Sequence, residues 1–217
     1  MDPELAMTLR VLSHELRTPV GVIQGYLRML TDGRIEPGAQ ARVLSQMQQA
    51  ATRIATLGQQ ASDVARWMER PPEPSWTTIP VSALIEQAVA TSTAADRVEP
   101  RLDPDDSATV RTFDAAALVA ACASLVNAVA RETPDRVRIV ARAAGDAREI
   151  LIAGADASDL REAPGPLTAE AAPAQLEHGG LGLSLVLTSA VVRAHGGHLW
   201  QLPPRQAFFG IRLLEAR

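Results

Sequence analysis

The chain has 217 residues, a formal net charge of -4 and an apolar fraction of 47 %, which is enough for one large domain or two small ones with packed cores. The slightly negative charge argues against a basic nucleic-acid footprint or a polybasic membrane anchor. Cys122 is the single cysteine, so a disulfide framework within one chain is excluded. No apolar run approaches the roughly 18 residues of a membrane-spanning helix, and no signal peptide is visible. We therefore expect a cytoplasmic location, alone or as the cytoplasmic part of a longer or membrane-bound protein.

Two amphipathic helices are predicted at the start of the chain, because apolar residues recur there at spacings of three and four. Between them, residues 31–38 contain Gly, Pro and Asp, which is typical of a helix–helix connection. One hairpin has too little interior to bury both stripes, so residues 1–70 are expected to form a homodimer, with two hairpins making a four-helix bundle. The first stripe comprises Leu12, Leu16, Val20, Ile23, Leu27 and Leu30, and the second comprises Val43, Met47, Ala50, Ile54, Leu57, Ala61, Val64 and Met68.

A proline-rich stretch, residues 71–78, is predicted to be a stiff linker to a second domain of residues 79–217. That domain mixes helical patterns with alternating strands, which is typical of an α+β layer sandwich. Helices are expected at 81–92, 114–132 and 179–197, strands at 136–144, 148–155, 198–202 and 207–215, and a loop at about 159–178.

One short stretch of the first helix combines residue types that favour chemistry. At about 100° per residue His14 points away from the apolar stripe, with Glu15 beside it and Thr18 one turn later. Pro19 removes a backbone hydrogen bond and costs about 3 kcal/mol in a helix interior, so the helix either begins nearby or bends. The plain alternative is a solvated surface histidine near a helix start, which does not account for the proline.

The stretch "SHELRTPV", residues 13–20, resembles the H box of the sensor histidine kinases of bacterial two-component signalling. The layout of a helical hairpin before an α/β domain is similar too. The resemblance implies that His14 is the phospho-acceptor, that Glu15 accepts the other ring proton, and that Thr18 orients a water for dephosphorylation of the response regulator. Imidazole suits this chemistry because its pKa lies near neutral pH.

Two segments of the second domain resemble nucleotide-binding motifs of the same family. "ASLVNA" is similar to the N box and implies that Asn127 holds the magnesium that bridges ATP phosphates, although Ala123 replaces the first Asn of that motif. "HGGLGLSLV" is similar to the second glycine box, where Gly179, Gly180 and Gly182 would let the backbone approach phosphates at a helix N-terminus.

The first glycine box of the family is the part that this sequence departs from. Gly154 stands where the adenine-reading Asp is expected, and Asp156 would replace it only after a two-residue slip along the strand. The resemblance implies ATP and magnesium as cofactors, but with this first glycine box degenerate the site loses its main source of base specificity.

Three functions remain open. The chain is a divergent kinase that passes a phosphoryl group from ATP through His14 to a response-regulator aspartate, or a histidine phosphotransfer protein that no longer uses ATP, or a non-catalytic dimer that docks a regulator. The intact set of His14, Glu15 and Thr18 argues against the last. The expected partners are a second copy of the chain and a receiver domain, with no nucleic acid and no membrane contact.

Overall fold

The computed structural model describes residues 3–69, 75–102, 108–154, 172–173, 182–201 and 208–216. The chain divides into two compact units. The first comprises residues 1–66 and 176–186, and the second comprises residues 67–175 and 187–217. None of the helices in the described residues is both long and apolar enough to cross a membrane.

The first unit contains the predicted helical hairpin, whose helices are α1 (Pro3–Thr31) and α2 (Gln40–Met68). The buried residues of α2 are spaced seven residues apart, which is the spacing of a heptad repeat with one buried position in each heptad. They are Val43, Ala50, Leu57 and Val64. Because α1 runs through Pro19 from Pro3, the helix does not begin close to His14.

The second unit is built on a six-stranded mixed sheet with helices packed against it. Its helices are α3 (Val81–Thr91), α4 (Ala115–Glu132) and the later part of α5 (Gly182–Ala194). Its strands are β1 (Thr77–Pro80), β2 (Val98–Arg101), β3 (Thr109–Thr112), β4 (Val137–Ala144), β5 (Ala147–Gly154), β6 (Ala172–Pro173), β7 (His198–Gln201) and β8 (Phe208–Leu214). The sheet order is β2-β4-β5-β8-β7-β6, with β2 and β4 parallel and every other neighbouring pair antiparallel, while β1 and β3 form a separate antiparallel pair.

These elements confirm the predicted α+β class and each of the longer predicted helices and strands. The short strands β1, β2 and β3 were not predicted, and β6 lies within the segment predicted to be a loop. The rest of that segment, residues 159–171 and 174–178, lies outside the described residues.

One buried apolar cluster of the second unit lies on a single face of the sheet. Side chains of β4, β5, β7 and β8 meet in one buried cluster made by Val140, Leu151, Ala153, Trp200 and Phe208. Gly210 lies opposite Trp200 in the β7–β8 register, and a Cβ atom there would come within 2.2 Å of ring atom Cε2. The glycine is therefore required by the close approach of the indole.

An aromatic cluster lies within the second unit, which begins at Trp67. Phe113 stacks on the His195 ring at 4.3 Å between centroids, and Trp76 meets Phe113 edge-on at 5.1 Å. Trp67, near the end of α2, lies 5.8 Å from both rings. Such pairs add to the stabilisation that their burial provides.

The His195 ring is buried and held at both nitrogens. Nδ1 lies 2.8 Å from the carbonyl oxygen of Val191, and Nε2 accepts a hydrogen bond from the backbone N–H of Asp114 at 3.3 Å. These bonds require a neutral ring with its proton on Nδ1. Burial lowers the pKa of His195 below its ordinary 6.5, against the opposing effects of the bond to Val191 and the charge of Asp114.

Candidate functional site

The three candidate residues of the phosphotransfer stretch lie together on α1, facing a groove of the hairpin. His14 and Thr18 are exposed, whereas the Glu15 side chain is only 7 % exposed. The groove has a volume of about 440 Å³. It is lined by His14, Glu15, Thr18, Pro19 and Val22 from α1 and by Gln46, Gln49, Ala50 and Arg53 from α2. A nucleophilic ring, a carboxylate and a hydroxyl are thus brought to one surface.

The Glu15 carboxylate is engaged at both oxygens. Arg53 forms an ion pair with Oε2, its Nη2 donating across the hairpin from α2. Oε1 accepts a hydrogen bond of 3.2 Å from the backbone N–H of Leu183, in the first turn of α5, which belongs to the same compact unit. Two donors on different elements hold the carboxylate in one place. A Glu side chain without these contacts would have to give up rotamer entropy whenever it accepted a proton.

Arg53 is the site residue that sequence reasoning missed. It follows Ala50 by three residues and precedes Leu57 by four, so it lies on the edge of the stripe that α2 buries. The sequence therefore contains a signal for Arg53, namely a basic residue at the edge of the apolar stripe of α2. Its pairing with Glu15, 38 residues away, depends on how α1 and α2 align.

Asn127 lies on α4, and its side-chain oxygen is used within the protein. Oδ1 accepts from Ser92 Oγ at 2.8 Å, from Thr93 Oγ1 at 2.9 Å and from the Thr93 backbone N–H at 3.0 Å. A carboxamide oxygen has two lone pairs, so three donors saturate it. These contacts tie the end of α3 to the middle of α4.

The described residues do not, in this arrangement, fit a magnesium ion. An ion bound to Asn127 Oδ1 would have to displace at least one of the three donors, and the buried Ala123, one turn earlier, offers no ligand. Within the part of the chain that the structure describes, no group of three or more His, Cys, Asp or Glu side chains is placed to hold a metal.

The remaining candidates fall at or beyond the edge of the described residues. Gly182 is buried and is the first residue of α5, and the N–H of the next residue, Leu183, already donates to the Glu15 carboxylate. Asp156, Gly179 and Gly180 lie outside the described residues, so their predicted part in nucleotide binding stays a prediction.

Comparisons with known proteins agree with the hairpin geometry. Residues 4–69 match the family of His Kinase A (phospho-acceptor) domains. The phosphate regulon sensor protein PhoR of Haemophilus influenzae is 35 % identical over 74 residues, which are 34 % of this chain and 17 % of that protein. The N-terminal hairpin therefore belongs to the family of His Kinase A (phospho-acceptor) domains. The chain spans only a small part of the length of the curated relative.

Solved histidine kinases share the fold. The Acinetobacter baumannii histidine kinase AdeS superposes with a TM-score of 0.65 at 17 % identity, over 93 % of this chain and 97 % of that one. Histidine kinase ThkA, solved in complex with the response regulator protein TrrA, gives a TM-score of 0.66 at 16 % identity, and the match covers 97 % of this chain and 61 % of ThkA. Full-length ShkA in complex with AMPPNP gives a TM-score of 0.55 at 18 % identity, and the match covers 96 % of this chain and 45 % of ShkA. The chain thus shares with these histidine kinases the fold of a helical hairpin followed by a mixed α/β domain.

Proposed function

We propose that the chain is a histidine kinase of two-component signalling, which takes up a phosphoryl group on His14 and passes it to an aspartate of a response-regulator receiver domain. The observation that carries the proposal is the exposed His14 ring, which shares a groove with the Glu15 carboxylate and the Thr18 hydroxyl inside a phospho-acceptor domain. The ThkA complex with a response regulator supports the class of partner.

Phosphoryl transfer through His14 requires only a nucleophilic ring nitrogen and a carboxylate that accepts a proton from the ring. The lone pair of one ring nitrogen forms the N–P bond as the bond from phosphorus to the leaving group of the donor breaks. Glu15 accepts the proton of the other ring nitrogen and so keeps the attacking nitrogen nucleophilic. Transfer to a receiver reverses this step, because a carboxylate oxygen of the receiver aspartate then attacks phosphorus and the imidazole leaves. Thr18, exposed on the same groove, is the residue we propose to orient water when a phosphorylated receiver is hydrolysed.

A second copy of the chain is the other proposed partner. Six large apolar side chains of the hairpin are more than a third exposed in the single chain, namely Leu5, Leu9, Val20, Leu27, Met29 and Leu44. Helix faces of this kind are covered when two hairpins form a four-helix bundle. Light scattering of the full chain is expected to give twice the mass of one chain. A monomer at micromolar concentration would contradict the proposed bundle.

The second candidate function is a histidine phosphotransfer protein that exchanges phosphoryl groups with receiver domains without using ATP. The saturated oxygen of Asn127 favours it, because this side chain is the one implied to hold magnesium. Both candidates require a cytoplasmic location, as a separate protein or as the cytoplasmic part of a longer sensor.

The test compares three radiolabelled donors on the full chain: ATP with magnesium, phosphoramidate, and a phosphorylated receiver domain. We expect an acid-labile, base-stable label that is lost in His14→Gln and kept in His198→Gln, a matched change at another exposed histidine. The label should then pass to receiver domains of the same organism.

The donor that works distinguishes the two functions. Labelling by ATP indicates a kinase, whereas labelling by the phosphorylated receiver, without ATP binding in calorimetry, indicates a phosphotransfer protein. A label that persists in His14→Gln, or no label from any donor, would contradict both.

A further inference from the structure

We propose that Arg53 is a positioning residue of the phosphotransfer site, holding the Glu15 carboxylate beside His14 and offsetting its charge as the phosphoryl group arrives. This inference rests on the proposed function of His14. It starts from a contact that joins the two helices of the hairpin, the ion pair between Arg53 Nη2 and Glu15 Oε2.

The burial of the pair shows which partner is restrained. The Glu15 side chain is 7 % exposed, and that of Arg53 is 40 % exposed. A carboxylate so far removed from water is stable only when donors replace its hydration, and Arg53 supplies a charged one. The guanidinium holds Oε2 while the Leu183 N–H holds Oε1, and Arg53 is the charged one of these two donors.

Position matters because Glu15 has to serve the ring of the preceding residue. Neighbouring residues of a helix differ by about 100° in direction, so the carboxylate reaches the ring only from one side, along the groove that both line. A Glu free in solvent samples several rotamers, and ordering it costs free energy at each turnover. The ion pair orders it in advance, which is the usual source of catalytic gain from a residue that makes no contact with the reacting atoms.

Charge gives the second reason. A phosphoryl group brings negative charge to His14, and a bare carboxylate next to it would repel the donor. Arg53 lies on the same groove as His14, so the pair presents little net charge to the donor.

Phosphorylation of His14 needs no reagent besides the phosphoryl donor. With phosphoramidate as donor, a ring nitrogen forms the N–P bond, the P–N bond of phosphoramidate breaks, and ammonia leaves with its electron pair. The proton on the other ring nitrogen passes to the Glu15 carboxylate, which afterwards releases it to water.

The experiment measures the initial rate at which the full chain is phosphorylated by radiolabelled phosphoramidate. We expect Arg53→Gln and Arg53→Met to slow labelling on the order of tenfold, a fraction of the roughly 10²–10⁴ contributed by general acid–base catalysis. Arg53→Lys keeps the ion pair and is expected to remain within about threefold of the parent. Arg42→Gln, at an exposed arginine of α2 outside the groove, is the matched control and should not change the rate.

A double-mutant cycle separates positioning from a direct role. In the Glu15→Gln background, Arg53→Gln is expected to have no further effect, because the group through which it acts is gone. Thermal unfolding followed by circular dichroism confirms that each variant is folded at the assay temperature. If one of the two neutral variants does not fold, the other answers the question.

The outcomes are distinct for the two proposals. A label that depends on His14, with Arg53 variants as fast as Arg42→Gln, would overturn the role of Arg53 and leave the proposed function standing. A full further loss in the Glu15→Gln background would also overturn it, since Arg53 would then act on the phosphoryl group itself. No label on the parent chain, or a label independent of His14, would overturn the proposed function and this inference together.

Discussion

Replacing Asn127 by Ala tests whether this side chain is structural before any nucleotide is added. The change removes the oxygen that accepts three hydrogen bonds, from Ser92 Oγ, Thr93 Oγ1 and the Thr93 backbone N–H. Ser92 is 7 % exposed, so its hydroxyl loses a partner that water replaces poorly, at about 1–2 kcal/mol. Thr93 is exposed, and its two donors turn to water at about 0.5 kcal/mol each. The expected loss is about 2–3 kcal/mol.

The assay is urea unfolding followed by tryptophan fluorescence in magnesium-free buffer. All three tryptophans, Trp67, Trp76 and Trp200, belong to the second unit, so the signal follows the unit that contains Asn127. Asn127→Asp keeps an accepting oxygen and is the control, expected to unfold close to the parent. Ser92→Ala should cost far less when combined with Asn127→Ala than alone.

A small effect of Asn127→Ala on stability would contradict the structural role of this side chain. If Asn127→Ala unfolds within about 0.3 kcal/mol of the parent, the three contacts contribute little to stability, and the oxygen is free to bind a metal at small cost. A loss near the expected value means that metal binding has to compete with this stabilisation, which weakens the affinity of the site for magnesium.

The other predictions concern the second unit. Gly210→Ala is expected to lower the free energy of unfolding by about 3 kcal/mol, because its Cβ would lie 2.2 Å from the Trp200 ring. In urea unfolding, adding Trp200→Phe should recover part of this loss. A Gly210→Ala variant as stable as the parent would contradict the close approach. Burial raises the pKa of Cys122 to about 12, so a thiol reagent at pH 8 should react only after unfolding, and fast reaction of the folded chain would show that the thiol is accessible. His195 has a pKa below 6.5 when folded, so the stability it provides is present above pH 6.5 and is lost as pH falls from there through the folded value. Urea unfolding of His195→Gln should therefore depend less on pH between 7 and 5 than that of the parent, and equal slopes would contradict it.

Sequence reasoning performed best where the pattern is local and repeated. The stripe of α2 predicted the buried heptad positions Val43, Ala50, Leu57 and Val64, because a 3.6-residue period by itself decides which side chains share a helix face. Long alternating runs predicted β4, β5 and β8 for the same reason, with a period of two.

The short strands β1, β2 and β3 were missed because four residues carry little pattern, whereas β7, equally short, follows directly on a helix that ends in glycine. β2 contains Pro100, which lowers the expectation of a strand, and it is an edge strand paired in parallel with β4, 39 residues further along the chain. β1 and β3 form a strand pair only by meeting each other across an intervening helix. Such pairings depend on where distant segments meet, and no local window contains that information.

The sequence alone determined the hairpin, the α+β class of the second domain and the candidate trio of His14, Glu15 and Thr18, since periodicity and a short motif are properties of adjacent residues. The tertiary structure alone decided that Glu15 pairs with Arg53 and that Asn127 Oδ1 is occupied by Ser92 and Thr93. A hydrogen bond depends on distances of about 3 Å between atoms whose residues lie more than 30 positions apart, and those distances exist only once the helices have packed.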